Sequence, residues 1–316
     1  MRTWLTERFD LTVPLVGAPM AGVGAGRLAA AVSAAGALGM FGVPATATAE
    51  WIGEQASVAA ATGRPYGIGL MAWALPGNPA QLQAVLDARP AVVSVSFGPY
   101  ERYVGELRRA GITVVTQAGT TEEALAAERA GVDAVVARGA EGGGHGRADV
   151  ATLPLLEGVL DAVRVPVLAA GGVATARGLA AVLAAGAEGA WAGTAFMGCE
   201  ETTISPAARR RLLEAAETDT AYGRVFDVAQ RLGWPVEYGG RALRNAFFER
   251  WAGREDELAA DESARADLEA ARRDEDFDTA YIYVGQGVGL VREPRTAADV
   301  VAAFAGAEKL LARFAR

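Results

Sequence analysis

Short, continuously apolar runs recur along the first two thirds of the chain, at Leu15–Met20, Ala37–Gly42, Tyr66–Trp73, Ala91–Phe97, Ile112–Gln117, Val132–Ala137, Val165–Ala170 and Ala187–Gly193. They do not alternate between apolar and polar positions, so they read as strands buried on both faces. Between them lie segments rich in Ala, Leu, Glu and Arg: Ala25–Ala35, Ala47–Ala61, Pro79–Ala88, Tyr100–Ala110, Thr121–Ala130, Leu153–Val163 and Thr175–Ala185. Thr, Asn or Pro stands near several of their starts and Gly after several of their ends, as helices require. The pattern is strand then helix, the strands roughly 20 to 33 residues apart, which is the spacing of parallel βαβ units.

Eight such strands predict an α/β protein, a (β/α)8 TIM barrel. An open doubly wound sheet is the alternative. The barrel is preferred because glycine-rich strand ends lie after several different strands, and only closure brings all of them to one mouth. Beyond Met197 the pattern changes. Pro206–Ala216, Ala242–Trp251 and Glu255–Arg273 read as charged helices, and an amphipathic segment runs from Ala297 to Ala315. The expected organisation is a barrel from residues 1–200 and 284–316, with a helical insertion over 201–283. The charges of Arg254 to Asp278 read as a solvated face, while Trp234, Phe247 and Phe248 are candidates to cap the barrel mouth.

Composition narrows the partners. The chain has 316 residues, 51% of them hydrophobic, and a formal net charge of −8 with acids and bases interspersed. That disfavours nucleic acid and leaves a small molecule as the default ligand. No signal-peptide core follows Met1, and no apolar run approaches the ~20 residues of a membrane span, so no membrane association is expected. Cys199 is the only cysteine, which excludes an intramolecular disulfide and a cysteine-rich metal site and favours a cytoplasmic location. It reads as a small buried residue rather than a reactive thiol. No metal is expected, and a homodimer is left open.

The candidate chemistry centres on the chain's one histidine, His145, in Glu141-Gly-Gly-Gly-His-Gly-Arg147, directly after the Val132–Ala137 run. Glycines let a backbone approach a ligand closely, and imidazole moves protons near neutral pH. A bland structural histidine is the competing reading. Two further strand ends, Val167-Leu-Ala-Ala-Gly-Gly-Val173 and Ala192-Gly-Thr-Ala195, lie at the last two barrel positions, where loops commonly present amides to a phosphate. Thr194 adds a hydroxyl. Either pair of glycines can instead be a turn requirement; both together favour a phosphate site.

The motifs Gly17-Ala-Pro-Met20, Ser94-Val-Ser-Phe-Gly98, Gly139-Ala-Glu-Gly-Gly-Gly-His145, Ala169-Ala-Gly-Gly-Val173, Gly186-Ala-Glu-Gly-Ala-Trp-Ala-Gly-Thr194, Arg241-Ala-Leu-Arg-Asn245 and Gly285-Gln-Gly287 occur in this order. In combination they resemble the nitronate monooxygenase (2-nitropropane dioxygenase) family over nearly the whole chain. The flavin-dependent enoyl-ACP reductases carry a similar histidine loop. The resemblance implies an FMN enzyme that oxidises alkyl nitronates or nitroalkanes with O2 to carbonyl compounds and nitrite. The alternative is an FMN-dependent NAD(P)H reductase of an enoyl thioester or quinone, and a non-catalytic flavin-binding sensor is a third class.

By the same resemblance His145 is the catalytic base. Ala18, Pro19, Met20 and Gln117 are flavin-contacting positions, and Gly142, Gly143 and Gly144 let the loop pass the isoalloxazine. Gly171, Gly172, Ala192, Gly193 and Thr194 cradle its phosphate. Met20 can equally be core, and the Gln117 amide can merely satisfy backbone. The chain departs from the family at Gly69, where asparagine is usual, and at Arg138 and Trp191, where glutamine is usual. The order Gly144-His-Gly-Arg147 also exchanges glycine and arginine. Arg138 is a cofactor-binding candidate that either places a positive charge beside the reduced flavin or pairs with Glu141 or another carboxylate as a structural bridge.

Overall fold

The computed structural model describes residues 1–313. Eight parallel strands close into a barrel: β1 (Leu15–Gly17), β2 (Leu38–Gly42), β3 (Tyr66–Met71), β4 (Val92–Ser96), β5 (Thr113–Ala118), β6 (Ala134–Arg138), β8 (Val167–Ala170) and β9 (Ala190–Ala192). The ring is completed by β9 pairing with β1 in the register Leu15↔Ala190 and Gly17↔Ala192. Each predicted apolar run coincides with one of these strands, β5 and β6 extending one residue past theirs, to Ala118 and Arg138. Each predicted barrel helix is present within about two residues of its expected ends, Thr121–Ala130 with its bounds unchanged.

Local chemistry explains the helix starts. Thr48, Thr120 and Thr175 each sit in extended backbone and accept from the amide three residues on, which satisfies one of the free N–H groups at a helix N-terminus. The barrel is filled, not hollow. Val16, Leu38, Met40, Val92, Val115, Val136, Leu168 and Trp191 form its inner cluster, closed from below by Leu5, Phe9 and Leu11 of the N-terminal segment. The small Ala134 and Ala170 lie in the same cluster as Trp191, which is how an indole fits in the place of a smaller side chain. A second, larger cluster joins the outer faces of the strands to the helices.

The segment after the barrel strands is not purely helical. Thr220–Gly223 (β10) and Gly240–Leu243 (β11) pair antiparallel, and β11 also pairs with Gly144–His145 (β7), giving a three-stranded sheet in the order β10-β11-β7. The helix expected over Ala242–Trp251 therefore begins only at Ala246, after Asn245 caps it by accepting from Phe248 N. The expected helix over Glu255–Arg273 is two helices, Glu255–Ala260 and Glu262–Asp274, split at Asp261, whose carboxylate caps the second. The last segment is likewise two helices, Ala297–Ala305 and Ala307–Ala312, and its expected end at Ala315 lies outside the described residues. Among the described residues no helix is long and apolar enough to cross a membrane.

Candidate active site

The histidine loop leaves β6 and is clasped from three sides. Beneath it lies Arg138, the last residue of β6, whose side chain is buried. Its guanidinium donates to the carbonyls of Arg147 at 2.9 Å, Gly142 at 2.8 Å, Gly144 at 3.0 Å and Gly143 at 3.2 Å. Burial pushes its pKa down to about 10, so it stays charged near neutral pH. The pairing of Arg138 with Glu141 is not what the structure shows. The Glu141 carboxylate instead accepts from the amide and hydroxyl of Thr152 at 2.8 and 2.7 Å. A planar fork of N–H groups suits several converging carbonyls better than it suits one acid already satisfied elsewhere.

From above, the loop is held by the second sheet and the returning chain. Gly146 N donates to Gly239 O, Tyr222 Oη donates to Gly146 O at 2.9 Å, and Arg241 Nε donates to Ala140 O at 2.9 Å. Gln286 N donates to Glu141 O. The loop glycines answer to this clasp. A Cβ on Gly143 would lie 2.4 Å from Gly285 N, and one on Gly142 would lie 3.0 Å from Arg138 Nε. Gly144 instead has open space but a φ of +70°, the left-handed region that glycine tolerates best.

His145 is thereby presented as part of a strand edge. Its Nε2 lies 2.7 Å from Asp227 Oδ1. Asp227 sits on the short helix Val225–Gln230 and is 2% exposed. Tyr283 Oη donates to the same oxygen at 3.2 Å, and Oδ2 is buried without a partner. Burial, and after it the Asp227 charge, holds the Tyr283 hydroxyl well above its usual pKa, so it remains a donor. The imidazole stacks on Trp234 with centroids 3.7 Å apart. Trp234 in turn packs at 5.3 Å on both Trp73 and Phe97, which follow β3 and β4 at the barrel mouth. Phe97 carries a φ of +67°, a left-handed conformation that is strained for a non-glycine residue.

Of the expected capping aromatics, Trp234 reaches the mouth. Phe247 and Phe248 do not: they are buried with Phe226 and Trp251 in a separate apolar cluster. Sequence reasoning missed Asp227, Tyr283 and the contribution of Trp73. Asp227 had a signal, since it is the lone acid in the apolar run Val225-Phe-Asp-Val-Ala229. Cys199 is buried, and burial pushes its pKa up to about 12, as suits an inert thiol.

The phosphate-cradle candidates also come together. Gly171 and Gly172 have φ values of +105° and +70°. Among the described residues the amides of Gly172, Gly193 and Thr194 donate to no acceptor. Thr194 Oγ1 accepts from Gly285 N at 2.9 Å, which leaves its own hydrogen for a further acceptor. Unpaired amides beside a hydroxyl donor, after two adjacent strands, are a donor set suited to a phosphate. Ala18 and Met20 lie on the other side of Gly193, where a Cβ would be 3.6 Å from Ala18 Cβ and 3.4 Å from Met20 Sδ. Pro19 occupies the space over Gly69, whose Cβ would fall 2.5 Å from the proline Cβ. Gln117, one residue before the end of β5, is half-buried, and its backbone N–H donates to Ser96 Oγ at 3.0 Å.

A family model described as nitronate monooxygenase matches residues 74–305. The chain belongs to the nitronate monooxygenase family. It is therefore an oxidoreductase enzyme. It is 35% identical to the nitronate monooxygenase of Paraburkholderia phytofirmans, an alignment covering 66% of this chain and 70% of that one. It is also 35% identical to a 5-hydroxy-7a-methyl-1-oxo-octahydro-1H-indene-4-carboxyl-CoA dehydrogenase of Mycobacterium tuberculosis, over 78% of this chain and 73% of that one. A nitroalkane oxidase structure from Streptomyces ansochromogenes superposes with a TM-score of 0.83 at 31% identity, covering 99% of both chains.

Proposed function

We propose that this enzyme uses FMN and O2 to oxidise small alkyl nitronates or nitroalkanes to carbonyl compounds and nitrite. The observation that carries the reading is the placement of the chain's one histidine at the barrel mouth, anchored by Asp227 and walled by aromatic rings. When bound, FMN would supply the redox chemistry, so the protein needs to hold substrate and manage one proton. Gly171, Gly172, Ala192, Gly193 and Thr194 would hold the phosphate through backbone amides and the Thr194 hydroxyl. Ala18, Pro19, Met20 and Gln117 would face the ring system.

Arg138 serves the cofactor indirectly in this reading, by fixing the loop that carries His145. The imidazole takes the proton from the carbon bearing the nitro group of a neutral nitroalkane, and the adjacent nitro group delocalises the electron pair left behind. Trp234, Trp73 and Phe97 keep that carbon away from bulk water, which favours small substrates. The buried, inert Cys199 is in keeping with a reducing, cytoplasmic setting.

The test begins with the visible spectrum of the purified protein and identification of any flavin released on denaturation. Anaerobic addition of a nitronate should bleach that flavin, and NADH should not. His145→Ala should cut flavin reduction by a neutral nitroalkane ~10²–10⁴-fold, the usual worth of a positioned base, and affect a preformed nitronate much less. Bleaching by NADH with consumption of an enoyl thioester, a class favoured by the CoA-thioester dehydrogenase relative, would replace this reading with a reductase.

A further inference from the structure

Two ring nitrogens of His145 are available to chemistry in principle, and the structure distinguishes them. Nε2 is enclosed: Asp227 Oδ1 lies 2.7 Å away, and Gly240, the register partner of His145, lies so close that a Cβ there would sit 3.4 Å from Nε2. Nδ1 makes no hydrogen bond among the described residues and is not among the atoms buried without a partner, so it opens onto accessible space. The side chain as a whole is 11% exposed. One ring face is covered by Trp234, and Tyr283 leans on the imidazole at 5.0 Å. Ring rotation is therefore hindered from several sides.

We infer that Asp227 is a positioning residue that fixes His145 in the tautomer protonated at Nε2, making Nδ1 the atom that exchanges protons with substrate. An ionised carboxylate can only accept. Tyr283 Oη already donates to Oδ1, and an Nε2–H donating to the same oxygen is the arrangement that leaves no acceptor facing another acceptor. The neutral imidazole then has its lone pair on Nδ1 by default. Resting on the function proposed above, the step is a transfer of one proton from the substrate carbon to Nδ1. The C–H bond breaks, the N–H bond forms, and the electron pair passes into the nitro group. The resulting imidazolium keeps Nε2–H on the Asp227 carboxylate, which offsets its charge in a buried setting. Asp227 does not itself take the proton.

Because the chain contains a single histidine, ¹⁵N-histidine labelling gives an unambiguous spectrum of the intact flavin-loaded protein. In the neutral form the wild type should show a protonated, pyrrole-type Nε2 and an unprotonated, pyridine-type Nδ1. Asp227→Asn, which can turn either its oxygen or its NH2 group toward the ring, should mix the tautomers. It should also lower the rate of flavin reduction by a neutral nitroalkane at least ~10-fold while changing the rate with preformed nitronate by less than about threefold, given that a mis-set tautomer removes the base but not the site. A wild-type spectrum with protonated Nδ1 overturns the inference without any variant. So does an Asp227→Asn protein with unchanged tautomer and unchanged nitroalkane rate, or one that loses both substrates equally. Failure of nitronate to reduce the flavin of the wild type would instead overturn the proposed function, and the tautomer measurement would still stand by itself.

Discussion

The rings of His145 and Trp234 lie 3.7 Å apart and within 3° of parallel, so one face of the imidazole is covered by an indole from the chain after the barrel strands. Trp234 also touches Trp73 and Phe97, which follow β3 and β4, and so joins the histidine to the barrel mouth. Replacing it by alanine should widen the space beside His145. Each substrate CH2 that loses its apolar wall forfeits ~0.8 kcal/mol, so KM for a short nitroalkane should rise ~3–10-fold. Turnover of branched or longer substrates should improve relative to short ones. Steady-state kinetics over a chain-length series checks this; an unchanged size preference would show that Trp234 does not shape the pocket.

Gly143 and Gly144 are adjacent and should respond differently to alanine. At Gly143 the new Cβ would meet the backbone of Val284 and Gly285 at 2.5 and 2.4 Å, and neither can yield without moving the chain that holds the loop. A loss of ~1–3 kcal/mol is expected, as for overpacking elsewhere. At Gly144 there is room, and only the positive φ is strained, so the loss should be near ~1 kcal/mol. Denaturant midpoints of the two variants decide the order.

Arg138→Met should expose the dependence of the loop on one buried cation. Four carbonyls would lose their donor together, and hydrogen bonds to a charged group are each worth ~1.5–3 kcal/mol. Thermal unfolding should shift down clearly, and histidine exchange with solvent should quicken. Arg138→Lys should not restore the wild-type midpoint, because a point charge cannot reproduce a planar fork. Full rescue by lysine would show that charge alone, not geometry, matters here.

Alkaline pH should weaken the fold earlier than the surface charges alone would suggest. Cys199 has its pKa raised from 9.0 to about 12 by burial, and Tyr283 is raised well above 10.0 by burial and then by Asp227. In that window the folded chain keeps protons that the unfolded chain releases, so stability is intact below pH 9 and falls as pH climbs toward 12. Urea midpoints measured from pH 8 to 11 should decline, and Cys199→Ala should flatten the first part of that decline. Parallel curves for the two proteins would remove Cys199 from the account.

Much of the barrel was legible because its rules are local. A strand buried on both faces must be apolar throughout, a helix start needs an acceptor such as Thr120 or Thr175, and these signals lie within a few residues of what they determine. The same locality made Gly171, Gly172, Gly193 and Thr194 readable as neighbours, since parallel strands that follow one another in sequence end side by side. Around His145 the reading ran out. Ala242 and Leu243 looked helical beside Arg241 and Arg244, yet they are strand, because they pair with Ala221 and Thr220 of β10 and no short-range pattern records that pairing.

The sequence by itself determined the closed sheet, its helices and the positions of its glycine-bearing ends, because hydrophobic period and capping chemistry act over one or two turns of chain. Only the tertiary structure decided what surrounds the histidine. Asp227 reaches it across 82 residues of chain, and Tyr283 meets Asp227 across another 56. Contacts of that span are set by how the chain after the barrel strands packs against the histidine loop, where a buried carboxylate must find donors, and Arg138 must find acceptors, among whatever groups that packing brings within reach.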